Sequence, residues 1–495
     1  MSEQDITLDE RVHIDNFLAK KYLTHKDNIY KFNSKYRAGT LGLVQKGTAY
    51  LTVIGELTRD LFIGDGDLRD AKEGDLVISQ RLLGKRGTPS AKIVEVVGRA
   101  VSYSIGYIIT KDGSKSLVDL RNDYPTGVEI APEELNSYSE GDVFKIDNTT
   151  YSIMEKLGNM SDPKVDEKIV LAQFNKHDEF EPEVLEIASS FKLVDASKHK
   201  KRKDLRKLAF CTIDQVTAKD YEDTIYWDNE NKTLDVAIAD VSEYIKPFGA
   251  LDNEAIYRSF SIYLPHRSIP MLPRQLSETL CSLQPHVDRL SYVFEMKLDL
   301  ESLEVTTSKV YEAIIHSKRR FNYEEIDEFF DGKLKAKNSD ENKIFEYIKK
   351  LRVVTDALKA KRLQIGYDIR QTEIDMEIDK NSNLVCTILA KETPTYTQIE
   401  DCMLLANKEA SRQYSRGIFR IHEEPSQSKL QLLYQELAGI GMSIDIKNSI
   451  KETITDIQRQ AREMDLESEV DTLIIRSQMH AKYATLNSGH FGSCC

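Results

Sequence analysis

No apolar run in this 495-residue chain approaches the ~20 residues that a membrane-spanning helix needs. The opening MSEQDITLDERVH is polar and acidic, without the apolar core of a signal peptide. Both absences point to a cytoplasmic protein that has no membrane partner. Cysteine is scarce: Cys211, Cys281, Cys386, Cys402, Cys494 and Cys495 form no C-x-x-C pair and stand near no histidine at zinc spacing. A disulfide framework is thereby disfavoured, and the thiols read as reduced. Positive charge is also in deficit. A net charge of −13, taken alone, argues against a nucleic-acid binder.

What the chain does contain is uneven. Hydrophobic residues at 40% and charged residues at 30% describe a globular protein with a real core, and the length suggests three or four domains. Residues 1–32 predict a short helix, Leu8 to Tyr22, and a polar connector. Residues 33–99 read as short alternating strands separated by glycines, the pattern of a small β-barrel, and residues 100–158 repeat it. The two sets share an echo, Glu73-Gly74-Asp75 against Glu140-Gly141-Asp142, each a tight turn into a strand. A linker with a helix and a basic run follows over 159–200, and the largest domain fills 201–495. The basic run, Ser197 to Lys207, carries seven basic residues against one acid. It reads either as solvated surface or as a path for phosphates, as does Arg81, Lys85, Arg86 and Lys92.

The segment Asp204–Trp227 organises the rest. An apolar run, Leu208 to Ile213, reads as a buried strand delivering Asp214; Asp220, Glu222 and Asp223 follow, then a β-rich run from Thr224 to Trp227. Four converging carboxylates repel one another, and a divalent cation is the simplest remedy. Hard oxygen ligands favour Mg²⁺, with Mn²⁺ as the alternative. A solvated acidic turn between two strands is the competing reading. Asp240, near the end of the next apolar run, reads as a structural acid or a further ligand.

Arg202-Lys203-Asp204-Leu205-Arg206 and Thr212-Ile213-Asp214, followed by Asp220, Glu222 and Asp223, resemble the signature of the RNase II/RNase R (RNB) family of 3′→5′ exoribonucleases. Within it the chain is most similar to the bacterial RNase R type. The family's third acid is normally Asp; Glu222 keeps the charge but moves the oxygens, which an octahedral Mg²⁺ tolerates badly. The resemblance implies an α+β multidomain fold, with two OB/cold-shock-type barrels before an RNB catalytic domain. Tyr50 and Phe62 are the first barrel's candidate stacking aromatics.

Further blocks carry the same likeness. Ser261–Pro265, Ile269–Pro273 and Leu280–Leu283 are similar to the family's SVYxP, IPMLP and LCSL, which makes Tyr263 the residue that stacks on the terminal nucleotide. Ile399 to Asn407 is similar to IEExMxxAN, and the resemblance implies that Glu400, in preference to Asp401, accepts from a ribose 2′-OH. Phe419-Arg420-Ile421-His422 with Pro425 resembles FRxHxxP, which implies a phosphate contact for Arg420 and leaves His422 equally a site residue or a structural one. RRFNY and the heptad-like stretch from Leu351 to Gly366 read as packing helices without chemistry. Family members continue past a GHFG block through an arginine-bearing SPIRRY-like motif and a C-terminal barrel; no such motif occurs here, so a truncated product is expected.

The resulting expectation is a processive exoribonuclease with Asp214, Asp220 and Asp223 on Mg²⁺ and Glu222 completing the cluster. It acts on single-stranded RNA, degrading or processing it to nucleoside 5′-monophosphates. An RNA-binding protein without turnover is the second reading, and a metal phosphohydrolase of small nucleotides the third. An RNA helicase or degradosome-type partner is left open.

Overall fold

The computed structural model describes residues 8–26, 29–44, 48–54, 60–69, 71–72, 74–82, 89–98, 103–369, 374–389 and 393–491. They form two compact units, divided between Asp178 and Glu179. No helix among the described residues is long and apolar enough to cross a membrane. Cys211, Cys281, Cys386 and Cys402 are free thiols.

In the first unit, helix α1 (Leu8–Ala19) leads into a hairpin of β1 (Leu23–Lys26) and β2 (Ile29–Phe32). The helix stops short of the predicted Tyr22. Lys21 takes a left-handed φ of 61°, and Tyr22 turns inward so that its hydroxyl donates to Glu95 Oε2 at 2.9 Å. Next, β3 (Tyr36–Val44), β4 (Thr48–Val53), β5 (Leu61–Ile63), β6 (Leu76–Leu82) and β7 (Ser90–Gly98) close a barrel in the order β3-β4-β5-β7-β6. Alternate residues, Leu41, Leu51, Ile63, Val77 and Ile93 among them, fill its interior. Gly39 is required by close approach, since a Cβ there would stand 2.4 Å from the Thr52 carbonyl oxygen. Tyr50 and Phe62 pair edge-on at 5.6 Å, and Tyr50 is 43% exposed, so these rings are not core. Arg81 and Lys92 lie on β6 and β7; Lys85 and Arg86 fall outside the described residues.

The second set of strands also packs as a domain, with an open sheet among the described residues. β8 (Tyr103–Lys111), β9 (Ser114–Asp119), β10 (Asp142–Asp147) and β11 (Ser152–Asn159), with helix α2 (Pro132–Ser137) between β9 and β10, make an open sheet in the order β11-β10-β8-β9 rather than a closed barrel. Helix α3 (Val165–Gln173) covers it, packing Val165, Ile169 and Ala172 on Ile105, Val143 and Leu157. Residues assigned from sequence to the 159–200 linker therefore complete this domain. The Glu-Gly-Asp echo is a shared device. Gly74 and Gly141 take φ of 81° and 80°, and the buried Asp75 and Asp142 each accept a backbone N–H at 2.8 Å, from Lys72 and Ser139. Glu73 is outside the described residues.

In the second unit, α4 (Pro182–Ser190) precedes β12 (Lys203–Asp204), β13 (Cys211–Asp214), β14 (Asp223–Asp228) and β15 (Thr233–Ala239). Then come α5 (Ala250–Arg258), the hairpin β16 (Ile262–Leu264) and β17 (Arg267–Ile269), β18 (Asp288–Asp299), β19 (Glu304–His316) and β20 (Arg319–Asn322). Strands β12-β19-β18-β15-β14-β13-β20 form a seven-stranded sheet in that order. Helices α6 (Tyr323–Phe330), α7 (Ser339–Ile365) and α8 (Pro394–Gln413) bury one face with Ile225, Trp227, Leu234 and Val236, while Phe210, Ala237 and Val293 line the other. Side chains alternate between two covered faces, as a central sheet demands. Helix α8 opens before the predicted Thr397, because the Thr393 hydroxyl caps the Tyr396 N–H and a proline occupies the first turn. The exposed hairpin β21 (Ile374–Ile378) and β22 (Leu384–Leu389), the pair β23 (Phe419–Ile421) and β24 (Lys482–Ala484), and helices α9 (Gln427–Gly439), α10 (Ile450–Glu463) and α11 (Glu467–Ser477) complete the unit.

Candidate active site

Strand β13 ends on Asp214 and β14 begins on Asp223, so the turn between them presents all four acids at one end of the sheet. The turn is fastened from outside. Ser282 Oγ donates to Lys219 O at 2.9 Å and accepts from the Tyr221 N–H at 3.1 Å, and the Leu283 N–H donates to Tyr221 O at 2.8 Å. The Leu280–Leu283 block thus serves the acids by holding their loop. Across from it, the β16–β17 hairpin carries Tyr263, whose ring is 69% exposed while its hydroxyl donates to Asp220 Oδ2 at 3.1 Å.

Asp214, Asp220, Glu222, Asp223 and Tyr263 line one cavity of about 540 Å³. Burial raises the Asp223 carboxyl to about 7, and the charges of Asp214 and Glu222 add to the rise. Glu222 is raised by burial, then by Asp220 and Asp214. Asp214 is raised by burial and Asp220, against the opposing pull of the Gln215 N–H and of Arg320. Burial and the neighbouring Asp220 push the Tyr263 phenol up to about 12, so it stays a donor. This is a site in which negative charge is costly, and a bound divalent cation would offset that cost. Among the described residues, no group of three or more His, Cys, Asp or Glu side chains is arranged to hold a metal ion. The carboxylate donors nevertheless suit Mg²⁺ or Mn²⁺ in their chemistry, and the raised pKa values of Asp214, Glu222 and Asp223 mark a place where a cation would relieve the charge.

Other sequence candidates separate from this cavity. Asp240 is structural: it is 2% exposed, and Arg202 Nη2 donates to its Oδ2 at 2.5 Å while the Ser242 hydroxyl donates to Oδ1 at 2.7 Å. Three of the seven basic residues in the run are spent on such ties. Arg202 also reaches Glu243 at 2.7 Å, Lys203 reaches Glu295 at 3.0 Å, and Arg206 reaches Asp204 at 2.6 Å and Asp288 at 3.0 Å. The phosphate-path reading loses these cations. Glu400 lines a second cavity of about 790 Å³ with Arg362, Tyr367, His422 and Phe491, whereas Asp401 is buried in an ion pair with Arg362 at 2.9 Å. Arg420 is exposed on β23, its guanidinium 5.9 Å from the Tyr483 ring centre. His422 Nε2 bonds the Met479 carbonyl oxygen at 2.7 Å, consistent with a structural place.

Several residues near the acids carried no sequence signal. Lys219, His266, Arg267 and Arg274 share the cavity, so it has cationic as well as anionic walls. Tyr323 is raised by burial and by Asp214 and Asp223, and its ring meets Tyr396 edge-on at 5.5 Å. It belongs to RRFNY, which is not mere packing: β20 runs parallel to β13 with Asp214 opposite Asn322.

Comparison with known proteins matches the same regions. The RNB domain family covers residues 202–492, the Ribonuclease R second OB domain residues 105–171, and the Ribonuclease R N-terminal first OB domain residues 4–92. The second of these ranges runs through α3, in keeping with its packing on the β8–β11 sheet. Ribonuclease R of Helicobacter pylori is 28% identical over 97% of this chain and 74% of its own length. Ribonuclease R of Chlamydia muridarum is 32% identical over 88% of this chain and 66% of its own. Mycoplasma genitalium RNase R, solved in complex with ribose-methylated single-stranded RNA, shares the fold with a TM-score of 0.80 at 24% identity, over 92% of this chain and 75% of that one. The chain belongs to the RNB family of exoribonucleases, on the ribonuclease R plan of two OB domains followed by an RNB domain.

Proposed function

We propose that this chain is a divalent-metal-dependent 3′→5′ exoribonuclease that takes single-stranded RNA and releases nucleoside 5′-monophosphates processively. The observation that carries the proposal is the meeting of Asp214, Asp220, Glu222, Asp223 and Tyr263 in one cavity. Asp214, Asp220 and Asp223 hold the cation, and Glu222 completes the cluster or orients water. When bound, Mg²⁺ or Mn²⁺ supplies Lewis acidity and an activated water at the scissile phosphate. Tyr263 offers an exposed ring face to the last base, and stacking on any base makes the readout tolerant of sequence. Glu400 accepts from a ribose 2′-OH farther along the strand, and Arg420 meets phosphate. The test is end-labelled RNA incubated with the chain and Mg²⁺. Stepwise release of monophosphates from the 3′ end is expected, and activity that survives excess EDTA would rule out the metal.

A second reading, RNA binding without turnover, is favoured by Glu222 standing where the family has Asp. It predicts retained but intact RNA in the same assay, and turnover restored by Glu222→Asp.

A further inference from the structure

The guanidinium of Arg320 touches the acid-bearing loop without touching an acid. The parallel pairing of β20 with β13 sets Arg320 opposite Thr212, two residues before Asp214. From there Arg320 Nη2 donates to two successive carbonyl oxygens, Gln215 O at 2.6 Å and Val216 O at 3.0 Å. Its guanidinium carbon stands 5.5 Å from the ring centre of Tyr221, the residue after Asp220. One side chain therefore grips the loop just after Asp214 and packs against it just after Asp220. Ser282 secures only the Lys219–Tyr221 end. The choice of acceptor matters. A guanidinium that engaged the carboxylates would compete with a cation for them, whereas one that engages backbone oxygens leaves the carboxylate oxygens available.

We propose that Arg320 is a positioning residue for the metal site, holding the Gln215–Lys219 loop so that Asp214 and Asp220 turn their oxygens to one cavity. The inference rests on the function proposed above. Groups that orient metal ligands typically cost 10- to 100-fold in metal affinity or activity when removed. Lysine keeps the charge but loses the planar group that packs on Tyr221, so it should rescue in part.

The test compares the full chain with R320M and R320K. Mn²⁺ affinity is read by electron paramagnetic resonance without RNA, loop exposure by Lys-C cleavage after Lys219, and turnover against Mg²⁺ concentration. R320M should bind Mn²⁺ about tenfold more weakly and need about tenfold more Mg²⁺ for half-maximal rate, with Lys219 cut faster. R320K should fall between R320M and the parent. Unchanged Mn²⁺ affinity and unchanged Lys219 cleavage in folded R320M would overturn the proposal. If R320M does not fold, the same two results in R320K overturn it. A parent chain that binds no Mn²⁺ and hydrolyses no RNA would instead refute the proposed function, and Lys219 cleavage would still decide whether Arg320 holds the loop.

Discussion

Asp240 and Asp223 stand at the same end of adjacent antiparallel strands, β15 and β14, and burial acts on both. Their circumstances differ in one respect. Asp240 faces Arg202, whose side chain is only 3% exposed, and the pair ties the chain before β12 to the end of β15. Asp223 has no cation paired with it among the described residues; its neighbours are Asp214 and Glu222, and its pKa rises to about 7. The same side chain is a rivet in one place and an unneutralised acid at the same end of the neighbouring strand. Unneutralised buried charge is a cost to the fold, and it persists where a ligand will meet it.

The sharpest way to break the comparison is to remove both acids in turn. Asp240→Ala leaves the buried Arg202 only partly exposed acids such as Glu243 and should destabilise the protein by about 3 kcal/mol, read as a lower urea midpoint, with activity per folded molecule little changed. Asp223→Asn should do the reverse: turnover falls at least ~10²-fold while the melting temperature holds or rises. Equal loss of stability in both variants would erase the distinction.

Tyr263→Ala tests whether the exposed ring works on substrate rather than on the fold. Loss of one stacked base is worth about 1–3 kcal/mol, so KM for single-stranded RNA should rise about tenfold or more at unchanged melting temperature.

A further effect is in pH. Because the Asp223 pKa is raised in the folded state, the folded protein binds more protons than the unfolded chain between its ordinary value of 3.8 and about 7. Stability without metal should therefore fall as pH rises through that window, and Asp223→Asn should flatten the slope. Saturating Mg²⁺ should oppose the fall, and near pH 6 its binding should release protons, measurable by calorimetry in buffers of different ionisation enthalpy.

The acids were legible from sequence because they share one β-turn-β segment, whose spacing left a solvated turn as a rival until the family resemblance decided between them. Tyr263 was legible only through the resemblance of Ser261–Pro265 to the family's SVYxP block. Arg320 and Tyr323 were not, since they arrive by a parallel pairing about a hundred residues downstream, and register across such a gap leaves no local pattern. The basic run left two readings open for a related reason: the acids that neutralise Arg202, Lys203 and Arg206 include Asp240, Glu295 and Asp288, which are distant in the chain. The second OB domain was legible as a run of short strands, but the helix α3 that covers its sheet was not.

By itself the sequence determined which residues bear charge, where the chain must turn, and which strand carries four acids to its end. Only the tertiary structure decided which of those charges are cancelled, because pairing and desolvation depend on distance through space rather than along the chain. Arg202 reaches Asp240 and, among the described residues, no cation pairs with Asp223; that difference separates scaffold from candidate site.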